Sequence, residues 1–385
     1  MENISKLMIQ LIGNEVCGST LSLCSPISDS DIARMFLVAN IHGVAHILGS
    51  ALINNSLFTG DKSRNFYCEQ VYATIYRYEN YNYVMEKVCD VLETEKIPYI
   101  PLKGSVIKKL YPRPWMRLGC DIDILVHEED AQKAADAIIR ELGYEKKSTG
   151  KHDIQILSTE NIYVELHFTL MEEDVSPVMS RVLNKAWEHA KPCEETKNRY
   201  ELDDAMFYFY HIAHMAKHFL VGGCGLRPFL DLWLMENSKN YDTPDTVALL
   251  KKSGLTDFAK ASRKLSRVWF SGEKHDEVTR IMEEYIISGG CFGSKETRMF
   301  SQQKKAGGKL KYIFSRLFVS YDALKSQYPI IIKYKFLTPI CEIFRIFIFL
   351  FGKKKKIRKE YVKNLNNMSD ERIDEINFLF ESVGF

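Results

Sequence analysis

This chain reads as an α+β protein: a small mixed β-sheet carrying helices, embedded in a larger and mostly helical protein. Three observations lead there. Asp121-Ile122-Asp123-Ile124-Leu125-Val126 alternates, so Asp121, Asp123 and Leu125 share one face of a strand and Ile122, Ile124 and Val126 the other. The stretch from Asn161 to Phe168 alternates likewise, with Val164, Leu166 and Phe168 opposed by Glu165 and His167. Before residue 96 and again after residue 203, the apolar residues recur at helical spacing.

Each element has a local reason. Ile32 to Leu48 carries an apolar stripe, and Asp29-Ser30-Asp31 just ahead of it places acids at a helix start, where they cap free N–H groups and suit the helix dipole. Asn65 to Glu95 is a long tract with aromatic residues every three or four positions. Ile97 to Leu102 predicts a short strand that feeds a turn at Lys103-Gly104-Ser105. The helix after it, Val106 to Leu110, ends at Pro112 and Pro114. Glu128 to Leu142 predicts a helix stopped at Gly143, and Asp153 to Leu157 forms a hairpin with the 161–168 strand. From Asp203 to about Lys325 the pattern is helical again. Four regions follow: a helical region at 1–95, the sheet core at 96–195, a helical domain at 196–328, and an amphipathic, basic C-terminal helical region at 329–385.

Composition narrows the function classes. The chain has 385 residues, enough for two or three compact regions with a substantial core. A formal net charge of +2 gives no general reason to expect nucleic-acid binding. Nine cysteines, with no C-x-x-C pair among them, argue against a disulfide framework or a zinc site and for a reducing compartment. Met1-Glu2-Asn3-Ile4-Ser5-Lys6 opens no basic-then-apolar leader, so the expected location is cytoplasmic.

The chemistry rests on the D-x-D strand. Two carboxylates at adjacent same-face positions of an apolar strand are costly to hold together unless a cation neutralises them. A Gly-Ser pair opening a helix offers N–H groups and a hydroxyl to phosphate oxygens. Together they predict a divalent-metal site, with Glu165 as third carboxylate, beside a phosphate-binding turn at Gly104 and Ser105. The plain alternative is an edge strand whose Glu165 and His167 face water. A structural version of the acidic pair is also open, with Asp123 matched to a cation such as Arg117. His211, His214 and His218 fall on one helix face, read as a packing and hydrogen-bonding surface, with His214 a candidate for the substrate cleft. Arg227 and Asp231, at i and i+4, are spaced for an ion pair.

The segment from Pro329 to Gly352 is strongly apolar and is followed by Lys353-Lys354-Lys355-Lys356-Ile357-Arg358-Lys359. Its clean apolar part is far shorter than the roughly 18 residues needed to span a bilayer. Two readings stand: a helix packed on the protein with a solvated basic end, or an in-plane helix drawn to anionic lipid on the inner face of the membrane.

At this point the motifs resemble a family. Leu102-Lys103-Gly104, Tyr111-Pro112-Arg113-Pro114, Arg117, Asp121 to Val126, Leu142-Gly143-Tyr144 and Val164 to His167 are similar to the polymerase-beta-like nucleotidyltransferase superfamily. Within it they resemble an uncharacterised bacterial nucleotidyltransferase family, and His211, His214, Gly225, Arg227 and Asp231 extend the likeness. The resemblance covers about residues 30 to 350. It implies transfer of an NMP from an NTP to a hydroxyl acceptor with release of pyrophosphate. It further implies Asp121, Asp123 and Glu165 as catalytic metal ligands for two Mg²⁺ ions, Mn²⁺ being an alternative. Lys103, Gly104, Ser105 and Arg117 would then meet the nucleotide, and His167 and Arg227 would join His214 in the substrate cleft. The other classes that fit are a non-catalytic nucleotide or partner binder and a toxin-type enzyme modifying tRNA. Base, acceptor and oligomeric state have no signature in the sequence.

Overall fold

The computed structural model describes residues 2–18, 25–173, 175–194, 196–306, 311, 318–351 and 370–385. Four helices come first: α1 (Glu2–Cys17), α2 (Asp29–Ile41), α3 (Ala45–Asn54) and α4 (Asp61–Thr94). Ser28 caps α2 by accepting from the Asp31 amide, with Asp29 and Asp31 in its first turn, so this D-x-D is a helix start. The single stripe expected from Ile32 to Leu48 is two helices. Gly43 takes a left-handed φ of 66° between them and turns the chain.

The sheet follows as β1 (Tyr99–Pro101), α5 (Gly104–Ile107), β2 (Asp121–Val126), α6 (Glu128–Leu142), β3 (Glu145–Thr149), β4 (Asp153–Leu157) and β5 (Tyr163–His167). Its spatial order is β1-β2-β5-β4-β3, antiparallel except for the parallel β2–β5 pair, so it is a mixed sheet. The N-terminal acids of α6 and the left-handed Gly143 after it bound that helix where the sequence places it. β3 has no sequence forecast, because its Glu145-Lys146-Lys147-Ser148-Thr149 is exposed throughout and carries no apolar alternation.

The helical remainder contains α7 (Pro177–Leu183), a two-stranded ribbon of β6 (Ala190–Pro192) and β7 (Tyr200–Leu202), α8 (Asp204–Val221), α9 (Arg227–Ser238), α10 (Pro244–Ser253), α11 (Thr256–Ser271), α12 (Glu277–Gly289) and α13 (Lys295–Ala306). Helical segments at Tyr321–Gln327, Ile330–Lys333, Thr338–Phe351 and Asp370–Ser382 complete the described chain. The block Lys353 to Lys359 lies outside the described residues.

Strand alternation sorts the core into two bodies. Ile122, Ile124 and Val126 pack with Tyr81, Val84, Val88 and Leu92 of α4 and with Ala134 and Ile138 of α6. Leu125, on the opposite face of β2, joins Ile100, Leu102 and the large helical core of α1–α3 and α8–α12. The last helix returns to that core, with Phe380 and Phe385 against Phe219 at ring distances of 5.1 and 6.1 Å. The acidic face of β2 therefore looks into the seam between sheet and helical body. Among the described residues, no helix is long and apolar enough to cross a membrane.

Candidate active site

Sheet register brings the acids together. Asp123 pairs with Glu165 across the parallel β2–β5 ladder, and Asp121 pairs with Tyr163. Because side chains alternate, Asp121, Asp123, Glu165 and His167 all project from one face. Ligand atoms of Asp123, Glu165 and His167 lie within 4.8 Å of one another. Asp121 stands one same-face position away, where the Asp123 charge acts on it and its own charge acts on Glu165.

Asp123 is the centre of the arrangement and is 4% exposed. Its Oδ1 accepts from the Lys103 ammonium at 2.9 Å and lies 2.8 Å from His167 Nε2. Burial by itself would raise its pKa, but Lys103 and His167 hold the carboxyl well below the usual range. Asp121 and Glu165 shift the other way: burial raises both, and neighbouring carboxylates raise them further. Glu165 is oriented by Gln155, whose Nε2 donates to Oε1 at 3.1 Å, and its Oε2 is 3.5 Å from His167 Nε2. Three carboxylates thus meet one lysine and one histidine at close range, with Arg227 acting on Asp121 through its charge, and two of the three are still shifted upward. That upward shift, with an oxygen-rich donor set on two adjacent strands, fits a divalent cation.

The turn after β1 is built by strain and a close approach. Lys103 has φ 45° and ψ −117°, a conformation that costs a side-chain-bearing residue about 1–3 kcal/mol. That conformation places its ammonium on Asp123, while the Leu102 amide donates to the Asp123 carbonyl at 3.0 Å. A Cβ on Gly104 would sit 3.0 Å from Arg117 Nη1, so a guanidinium covers the glycine. The Ser105 hydroxyl is not directed outward as expected. It donates to the Leu102 carbonyl at 2.5 Å and braces the turn.

Two ion pairings that the sequence leaves open are not made. Arg117 is no partner of Asp123: its Nε donates to both carboxylate oxygens of Asp231, at 2.7 and 2.9 Å, and the pair is buried. Tyr111 also donates to Asp231 Oδ1, at 2.7 Å. Asp231 is therefore not the i+4 mate of Arg227, whose Nη1 instead donates to the Leu118 carbonyl at 2.9 Å. Arg227 still reaches the site through its charge, opposing the rise at Asp121.

The histidine stripe divides. His211 Nε2 meets the Pro228 carbonyl at 3.0 Å, a packing role. His214 and His218 contact each other, Nε2 to Nε2 at 3.2 Å, and burial with the nearby Lys103 charge lowers both pKa values. His214 thus borders the Lys103 side of the site, as does Tyr210, whose hydroxyl lies beside Lys103. Gln155, Tyr210 and the Tyr111–Asp231 contact escaped the sequence reading. Gln155 was legible in principle, since register pairs it directly with Glu165.

Known proteins add a family. No curated protein matches the chain. A solution structure of the antibiotic-resistance factor ANT(2'')-Ia aligns at 10% identity and a TM-score of 0.26, over 49% of this chain and 88% of that one, a likeness too loose to bear on the reaction. A family model described as an uncharacterised nucleotidyltransferase matches residues 28–271, more than half of the chain. That span takes in every residue of the site, from Lys103 on its strained turn to Asp231 in α9, and so the chain belongs to the uncharacterised nucleotidyltransferase family.

Proposed function

We propose that the chain is a metal-dependent enzyme that moves an NMP from an NTP to a hydroxyl acceptor, releasing pyrophosphate, and that it works in the cytoplasm. Membership of a nucleotidyltransferase family supports the general transfer. The single observation that carries the metal is the Asp123–Glu165 register pair with Asp121 beside it, two of the three carboxyls being raised by burial and by neighbouring carboxylate charge. Asp121, Asp123 and Glu165 would hold divalent ions, Mg²⁺ by preference for an all-carboxylate set and Mn²⁺ where His167 joins. Bound, such ions supply positive charge to the phosphates and acidify the acceptor hydroxyl.

The residues of the chain then divide the remaining work. Lys103 neutralises Asp123 and, on a turn at the edge of the site, is placed to meet phosphate oxygens once a cation takes over that carboxylate. The Gly104 amide has no backbone hydrogen-bond partner among the described residues and would be the turn's donor to phosphate, with the Arg117 guanidinium packed on the glycine. Ser105 and Asp231 act as positioning residues, one for the turn and the other for Arg117. His167 orients Asp123 and Glu165. His214, beside Lys103, and Arg227, whose charge reaches Asp121, would stand nearest the acceptor.

The test uses NTPs labelled at the α or the γ phosphorus, with Mg²⁺ and a cell extract as acceptor source. Transfer of α-label to an acceptor, with γ-label leaving as pyrophosphate, is expected. Transfer of γ-label would make the protein a kinase. Tight nucleotide binding with no transfer would make it a binder, and α-label appearing in tRNA would make it a tRNA-modifying enzyme.

A further inference from the structure

The helix Thr338–Phe351 is amphipathic with its faces reversed. Ile340, Ile343, Phe344 and Ile348 fall on one side, at the i, i+3, i+4 spacing of a single stripe, and all are exposed. Ile343 is 68% and Phe344 55% exposed. The more sheltered side holds an ion pair beside Cys341 and Ile346. Glu342 and Arg345 pair there at 3.0 Å with side chains 13% and 15% exposed, and Glu342 also accepts from the Val319 amide at 2.9 Å. A helix seated on its own protein buries the apolar stripe and turns its charges to water. This one leaves the stripe in water, an arrangement suited to a helix that meets an apolar phase.

The surface around the stripe is apolar and basic. Ile330, Ile332 and Phe336, just ahead of the helix, are exposed as well, and Lys333 and Lys335 stand exposed among them. The Lys333 ammonium lies 5.5 Å from the Tyr334 ring centre, an aromatic-and-cation pairing suited to a headgroup layer. With Glu342 neutralised by Arg345, the free charge beside the stripe is positive. In the sequence the helix is followed directly by the six cations of Lys353 to Lys359. At 14 residues the helix is about 21 Å long, too short to span a bilayer and long enough to lie in its surface.

We propose that the segment Ile330–Ile348 is a docking surface for an anionic lipid membrane. Ile340, Ile343, Phe344 and Ile348 enter the acyl boundary while Lys333 and Lys335 meet the anionic headgroups. The proposal stands apart from the reaction, since none of these residues belongs to the acidic site.

Vesicle co-sedimentation of the full chain tests it, with phosphatidylcholine vesicles compared with vesicles that also contain phosphatidylglycerol. The protein should pellet with the anionic vesicles, and should return to the supernatant as salt is raised. The pair Lys333→Ala with Lys335→Ala should weaken that binding about thirtyfold. Ile343→Ser with Phe344→Ser should abolish it; these side chains are exposed, so an unchanged circular-dichroism melt is expected. In Phe344→Trp, indole emission should shift to the blue on adding anionic vesicles. Three results would overturn the proposal: no pelleting at low salt, an unshifted Phe344→Trp emission, or a lipid-free dimer that the double serine variant dissolves. The last would make the stripe a contact between copies of this chain.

Discussion

Asp121 and Asp123 look equivalent in the sequence, yet opposite surroundings separate them. Asp123 anchors the Lys103 ammonium and the His167 ring, so Asp123→Asn strands a partly buried cation and should destabilise the metal-free protein by about 1–3 kcal/mol. Asp121 lies among like charges, so Asp121→Asn should leave the metal-free protein as stable or more so, while both variants lose transfer. Denaturant unfolding without metal, paired with a transfer assay, separates the two; equal destabilisation would contradict the asymmetry. The alternation that sets both acids on one face was readable, because it needs only the period of a strand. The cation opposite Asp123 was not: it depends on the left-handed Lys103, a conformation no propensity forecasts.

The same charges set a pH dependence. Asp121 and Glu165 have raised pKa values in the folded chain, so the stability they confer is present below the unfolded value near 4 and lost as pH rises through the folded values. Asp123 is depressed, so its contribution is present above that unfolded value and lost only as pH falls through the folded one. Metal binding requires the ionised forms of Asp121 and Glu165 and so releases protons. The melting-temperature gain on adding Mg²⁺ should therefore grow as pH rises above about 4 and level off once both are ionised. A gain independent of pH across that range would put the metal elsewhere.

At the level of elements, what could be read depended on whether a contact is local. The strand faces, the α6 boundaries at Glu128 and Gly143, and the capped start of α2 follow from neighbouring residues. The Arg117–Asp231 contact joins a turn before β2 to α9, and spacing within α9 pointed Asp231 toward Arg227 instead. That buried pair holds the helical body to the glycine turn, because Arg117 also covers Gly104. Asp231→Ala leaves the guanidinium unpaired and should cost about 3–5 kcal/mol, whereas Tyr111→Phe removes one donor and should cost about 1 kcal/mol. Urea unfolding measures both. The Asp231 carboxyl is held low by Arg117 despite its burial, so its stabilisation should persist down to about pH 4 and fade as pH drops through the folded value. Similar small losses in both variants would mean that the pair is dispensable.

The molecule as a whole is two cores joined at the site. Helix α4 belongs to both, with Tyr67 in the helical core and Tyr81 to Leu92 under the sheet, and β2 divides its own side chains the same way. Neither core can come apart without breaking α4 or the sheet, so one cooperative unfolding transition is expected for the described body. The acids on the sheet and Tyr210 and His214 on α8 face each other across that seam, so a ligand bound there grips both cores. Nucleotide with Mg²⁺ at a hundred times its Kd should then add about 2.7 kcal/mol to the whole transition. At the usual unfolding entropy per residue, that is about 3 °C for a chain of this length. Calorimetry with and without ligand checks it. A single peak that moves intact supports a site shared by both cores, whereas two peaks of which only the sheet's moves would confine nucleotide binding to the strands and leave α8 without a part in it.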